Sequence, residues 1–218
     1  SWQPEEISQL AELFKDKTIF VPLRGTLIEL DSAKTDPLFE QQMNRRYSVF
    51  PFGSVKEPSN WLIITKTSNP GILPNLLAGT VVDKQIKHYF SDSMGRFLML
   101  DIGTENSLYL NTFRQFGVIN YHKASVADIG EWYAQGQFPA YNDNPEEIEL
   151  VNSQMTIVED TNATVDANVP DHLLRLFAYN KVLHNMGGSY FKKNYVEQEH
   201  VALAKLAHVV TPVSSMVV

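Results

Sequence analysis

The stretch Asp101-Ile102-Gly103-Thr104-Glu105-Asn106 sets two carboxylates, a hydroxyl and an amide directly behind the apolar run Phe97-Leu98-Met99-Leu100. A short apolar run reads as a strand, and open α/β sheets place ligands at the carboxyl ends of their strands. Asp101, Thr104, Glu105 and Asn106 are therefore the ligand-edge candidates. A competing reading is a divergent α/β hydrolase or transferase using Asp101 and Glu105. The same residues also read as a plain strand-to-helix turn, with Gly103 easing the backbone and Thr104 capping the helix that follows. The repeated glycines of a phosphate-binding loop are missing.

Other groupings each have a chemical and a structural reading. Glu197, His200 and His208 lie on or near one helix, and Glu-x-x-His supplies half of a carboxylate-bridged di-metal site. The second half is missing, and a His at the packing border of a helix is the structural alternative. Ser189 follows two glycines without the flanking pattern of a nucleophile elbow and reads as a cap after a helix stop. Glu146, Glu147 and Glu149 stand in an acidic stretch with nothing apolar to separate their acidities, and read as solvated charge. Tyr47, Phe50, Phe52 and Trp61 would suit a sugar- or peptide-binding patch if exposed, and a core if buried. The sequon Asn162-Ala163-Thr164 matters only in a glycosylating host.

Composition narrows the classes. The 218 residues are 44% hydrophobic and 20% charged, enough to build a core without staples. With no cysteine, disulfides, thiolate nucleophiles and cysteine metal sites are excluded. A net charge of −7 with no concentrated basic patch argues against nucleic acid. The longest apolar runs, such as Trp61-Leu62-Ile63-Ile64, fall far short of the roughly 20 residues that span a bilayer, so no membrane insertion is expected. The amino end lacks the pattern of a signal peptide, and both ends read as cut from a larger protein, leaving localisation open.

The elements that would position these residues alternate in type. Helical spacing appears from Pro4 to Lys15, and a hairpin from Thr18 to Leu23 and Thr26 to Leu30 around Arg24-Gly25. A helix at Pro37 to Arg45 and a strand at Tyr47 to Phe50 come next, then a strand at Trp61 to Thr65 and a helix around Val82 to Phe90. They are followed by the strand Phe97 to Asp101, a helix at Asn106 to Phe116, a strand at Val118 to Tyr121, and a helix at Ser125 to Gln135. Ser125 and Asp128 form a capping box, and Val126, Ile129, Trp132 and Tyr133 give that last helix its apolar face. Strands apolar on both faces between helices imply a mainly parallel sheet covered on both sides. From Pro139 to Asn168 the chain is polar and reads as a connector. A helix then runs from Asp171 to Gly187 with Leu173, Leu176, Phe177, Asn180 and Leu183 on one face. A second follows from about Val196 to Ala207, with Leu203 and Leu206 inward.

The last stretch runs Arg175-Leu-Phe-Ala-Tyr-Asn180, Val182-Leu-His184, then Val201-Ala-Leu-Ala-Lys-Leu-Ala-His-Val-Val-Thr-Pro-Val-Ser-Ser-Met-Val-Val218. It resembles the segment after the von Willebrand A-type domain in inter-alpha-trypsin-inhibitor heavy chains and their bacterial relatives, including those that accompany exosortase protein-sorting systems. Phe177 takes the place of the family's helix aromatic, and Thr211-Pro212 with Ser215-Met216-Val217 match its tail. Phe97 to Thr104, followed by Leu110, Phe113, Phe116-Gly117 and Tyr121, is similar to a late strand, turn and helix of an A-type domain. The resemblance also implies where a divalent cation would sit. The Asp-x-Ser-x-Ser loop that holds it is absent, and the strand ending at Thr65 runs into Lys66-Thr67-Ser68, an ammonium in place of a carboxylate.

Together these readings predict an α/β fold, a Rossmann-like three-layer sandwich with a mainly parallel sheet and a C-terminal helical extension. The expected divisions are an A-type-like body over 1–138, an acidic connector over 139–168, and a helical extension with an extended tail over 169–218. The expected function is a non-catalytic interaction or scaffold module of a cell-envelope, sorting-associated protein, with a protein partner and no cofactor or metal. The alternatives are the hydrolase or transferase and the carbohydrate-binding module named above.

Overall fold

Leu62, Ile63 and Ile64 alternate between two apolar environments, as do Leu98, Met99 and Leu100, so neither face of their strands can be left in water. The computed structural model describes residues 2–23, 25–30, 50–68, 81–92, 95–150, 155–160, 162, 170–191 and 198–212. In it those segments, with a third, build a parallel sheet in the order β3-β4-β5, comprising β3 (Leu62–Thr65), β4 (Leu98–Asp101) and β5 (Asn120–Lys123). The register sets Thr65, Asp101 and Lys123 side by side at the carboxyl edge. This is a mixed α/β fold with a small parallel sheet flanked by helices, followed by C-terminal helices.

One sheet face carries Leu100 against Leu10 of α1 (Pro4–Leu13) and Ile129 of α4 (Val126–Gln135). The opposite face carries Ile63, Met99 and Tyr121. They are covered by α3 (Leu108–Gln115), by α2 (Val81–Asp92), and by Val182, Leu183 and Met186 of α5 (His172–Met186). Phe52, Phe97 and Phe113 stack edge and face at the centre of this second core. Phe52 is therefore core, and Phe50 and Trp61 pack against it half-buried; Tyr47 lies outside the described residues. The expected helix at Pro37 to Arg45 also lies outside them.

The amino-terminal elements follow the sequence pattern. Glu6 accepts from the Gln3 amide at 2.8 Å, holding the first turn of α1. Ile7 and Ala11 pack on Val21 and Leu30 of the antiparallel hairpin β1 (Ile19–Leu23) and β2 (Thr26–Leu30), whose turn uses Gly25 at φ +83°. Ser125 and Asp128 form the expected capping box on α4.

Several elements depart from expectation. The third parallel strand begins at Asn120, because Gly117 at φ +65° closes α3 and the buried Val118 and Ile119 are spent bringing the chain back to Phe97. Ser107, whose hydroxyl accepts from the Leu110 amide at 3.2 Å, caps α3 in place of Thr104. The polar stretch after Pro139 contains an antiparallel pair, β6 (Glu147–Leu150) and β7 (Met155–Val158), with Ile148 buried. The inward face of α5 starts only at Phe177, so Leu173 and Leu176 are exposed. In α6 (Gln198–Leu206) the small Ala204 and His200 face inward, leaving Leu206 in solvent and Leu203 half-buried.

Candidate functional site

Asp101 ends β4 completely buried. Its Oδ1 accepts from the amides of Thr67 at 2.8 Å and Gly103 at 2.9 Å, and its Oδ2 from the Tyr121 hydroxyl at 2.7 Å and Lys123 Nζ at 3.1 Å. Burial alone would raise this carboxyl's pKa, but the donors from Thr67, Tyr121 and Gly103 outweigh it and hold it below its ordinary value. Burial and the neighbouring Asp101 charge together push the Tyr121 phenol up, so it stays a donor. Lys123 Nζ also donates to the carbonyls of Gly103 and Glu105, fastening the loop from below.

The remaining edge candidates do not converge on Asp101. The Thr104 and Glu105 side chains are exposed, and Asn106 is half-buried. Gly103 is required by close approach: a Cβ there would stand 2.0 Å from the Thr67 carbonyl oxygen. Lys66, placed where the resembled family carries an acid, instead pairs with Glu6 of α1 at 2.6 Å. These contacts make the carboxyl edge a knot tying two loops, strand β5 and a helix together. Among the described residues no three His, Asp or Glu side chains gather as metal ligands. Glu197 lies outside them, and His200 is buried.

A second polar cluster forms at the opposite, amino end of the sheet. There a cleft of about 610 Å³ opens between the chain before β4, the turn before β5 and the segment after Pro139. Arg96 sits in its wall with Nε donating to the Gly117 carbonyl and its guanidinium 4.2 Å from the centre of the Tyr141 ring. Its two terminal nitrogens reach the Asp143 carboxylate at 3.0 and 2.9 Å, a bidentate fork. Tyr141 stacks on His184 and donates its hydroxyl to the Arg114 carbonyl at 3.0 Å. His184 Nδ1, 3.2 Å from that hydroxyl, must then carry the proton and donate to it.

Behind Tyr141 the buried Arg114 of α3 pairs with Glu149 of β6. Glu149, expected to be solvated, thus anchors the hairpin to the body. Asn120 gives its amide N–H to the Pro139 carbonyl at 2.7 Å, which turns its oxygen toward His122 Nε2 at 2.6 Å. Burial, aided by Arg114, pushes the His122 pKa down to about 4 against the opposing pull of Glu149 and a hydrogen bond at Ala140. His184 is lowered in the same direction by burial and Arg96, with Asp143 opposing. Both shifts favour the neutral imidazole.

This cluster is not legible in the sequence, because its members come from four separated segments and share no spacing. The only local signal was Gly95-Arg96 ahead of an apolar strand and the polar run Tyr141-Asn142-Asp143-Asn144. Compared with models of known protein families, with curated proteins and with solved structures, the chain finds no match in any of the three.

Proposed function

We propose that this chain is a non-catalytic interaction module whose partner is a protein, and that it belongs to a cell-envelope, sorting-associated protein of the kind its C-terminal segment resembles. In this reading the parallel sheet and its helices are the core of a Rossmann-like, A-type-like three-layer body, and α5 and α6 are the docked extension. The observation that carries the proposal is the start of α5. Leu173 and Leu174 are 60% and 62% exposed, and Leu176 is 38% exposed, on a helix whose following turns are locked into the core by Phe177, Val182 and Leu183. Adjacent exposed leucines on a rigid support are what a partner's apolar surface fits. Asp101, the acid best placed for catalysis, supports the same reading because both its oxygens are committed to the fold.

Photo-crosslinking in the native host tests the proposal. A crosslinker at position 174 should give a discrete protein adduct that disappears on Leu173→Glu, and one at the exposed Glu131 of α4 should give none. Equal labelling at both positions, or turnover on substrate panels abolished by Glu105→Gln, would defeat it.

A further inference from the structure

We propose that the cleft at the amino end of the sheet is a carboxylate-binding site, in which Asp143 occupies the seat of the ligand's acid. This cleft is separate from the leucine surface on α5. Arg96 is oriented on three sides: the Gly117 carbonyl fixes its Nε, the Tyr141 ring supports its plane, and the fork of its two terminal nitrogens faces a carboxylate. A guanidinium held this way has lost most of its freedom before any ligand arrives, and its planar fork matches a carboxylate better than a lone ammonium would.

The present occupant of that fork is weakly held. Asp143 is 61% exposed, in a segment without helix or strand, and Arg96 is 33% exposed. An ion pair this open to water contributes little, so a carboxylate that brings additional contacts displaces it. The cleft offers such contacts. Ala140, the Tyr141 ring and the edge of Val118 give it apolar surface, while Phe90 and Asn120 border it almost wholly buried, Asn120 with its amide already bonded to Pro139 and His122. Its volume of about 610 Å³ falls in the range that takes a ligand of a dozen or more heavy atoms. The class of ligand is thus a carboxylate on an apolar or aromatic body, supplied either as a free small acid or as the C-terminal carboxylate of a peptide.

Calorimetry and saturation-transfer NMR on the full chain test this, with 3-phenylpropionate and an acetylated peptide ending in phenylalanine as the two probes. Their primary amides serve as controls. At least one acid should bind and its amide should not, and whichever acid binds more tightly identifies the source. Asp143→Asn should tighten the acid by about two- to fivefold, the weight of a partly exposed ion pair. Arg96→Gln should weaken it by at least about tenfold, since charge-assisted bonds are lost. Asp143→Asn lies on the surface and keeps the test valid if Arg96→Gln fails to fold. Absence of binding by both acids to wild type and to Asp143→Asn, or equal binding of acid and amide, overturns the proposal. So does affinity unmoved by Arg96→Gln in a folded variant.

Discussion

The Tyr121 hydroxyl of β5 donates to Asp101 Oδ2 of β4 across 2.7 Å, inside the sheet and shielded from water. This bond and the Lys123 contact occupy one carboxylate oxygen, and the Thr67 and Gly103 amides occupy the other. Asp101→Asn would turn an amide N–H₂ toward Tyr121 and Lys123, leaving a donor facing donors. It should cost about 2–4 kcal/mol in urea unfolding. Tyr121→Phe removes one of four donors and should cost about 1–2 kcal/mol. Because the folded pKa of Asp101 lies below 3.8, its contribution is complete above that value and is lost as pH falls through the folded pKa.

Gly103 is predicted to tolerate no side chain. The obstruction is the Thr67 backbone, which cannot rotate aside as a side chain would, and the same Thr67 amide is bonded to Asp101. Gly103→Ala should therefore lower stability by about 3 kcal/mol, with Gly130→Ala as control, since the space around Gly130 is open. Comparable thermal midpoints for the two variants would refute the close approach.

Acid should weaken the fold in a window set by His122. Its folded pKa of about 4 lies below the 6.5 of a free imidazole, so between those values the unfolded chain binds more protons than the folded one. The resulting stability is complete above pH 6.5 and is lost as pH falls toward 4, and the downward-shifted His184 adds in the same sense. After discounting for partial exposure, His122 accounts for about 1–2 kcal/mol. Urea midpoints measured from pH 7 to 4.5 should fall, and His122→Gln, which keeps a donor for Asn120, should flatten the slope.

What the sequence made legible was whatever depends on neighbours in the chain. The capping box at Ser125 and Asp128, the hairpin around Gly25, and strands such as Leu98 to Leu100 are local patterns, and they recur in the structure. Thr104 and Ser107 both precede the apolar run of α3, and only the backbone geometry makes Ser107 the cap. Asp101 was rightly placed at a strand end. Its role was hidden because its partners, Thr67, Tyr121 and Lys123, are brought to it by sheet register. The Arg96 cleft was invisible for the same reason, as Tyr141, Asp143 and His184 reach it from beyond the sheet.

The start of α5 provides the sharpest contrast between fold and surface. Periodicity puts Leu173, Leu176, Phe177 and Leu183 on one face, yet that face is buried only from Phe177 onward. Phe177 is 8% exposed, with the Lys181 ammonium 5.0 Å from its ring centre, so Phe177→Ala should destabilise the chain by about 3–4 kcal/mol. Leu174, three positions earlier, is 62% exposed, and Leu174→Gln should move stability by no more than about 0.5 kcal/mol. Urea unfolding of the two variants decides the matter. A large loss for Leu174→Gln in the isolated chain would mean that this leucine already serves the fold and is not free to meet a partner.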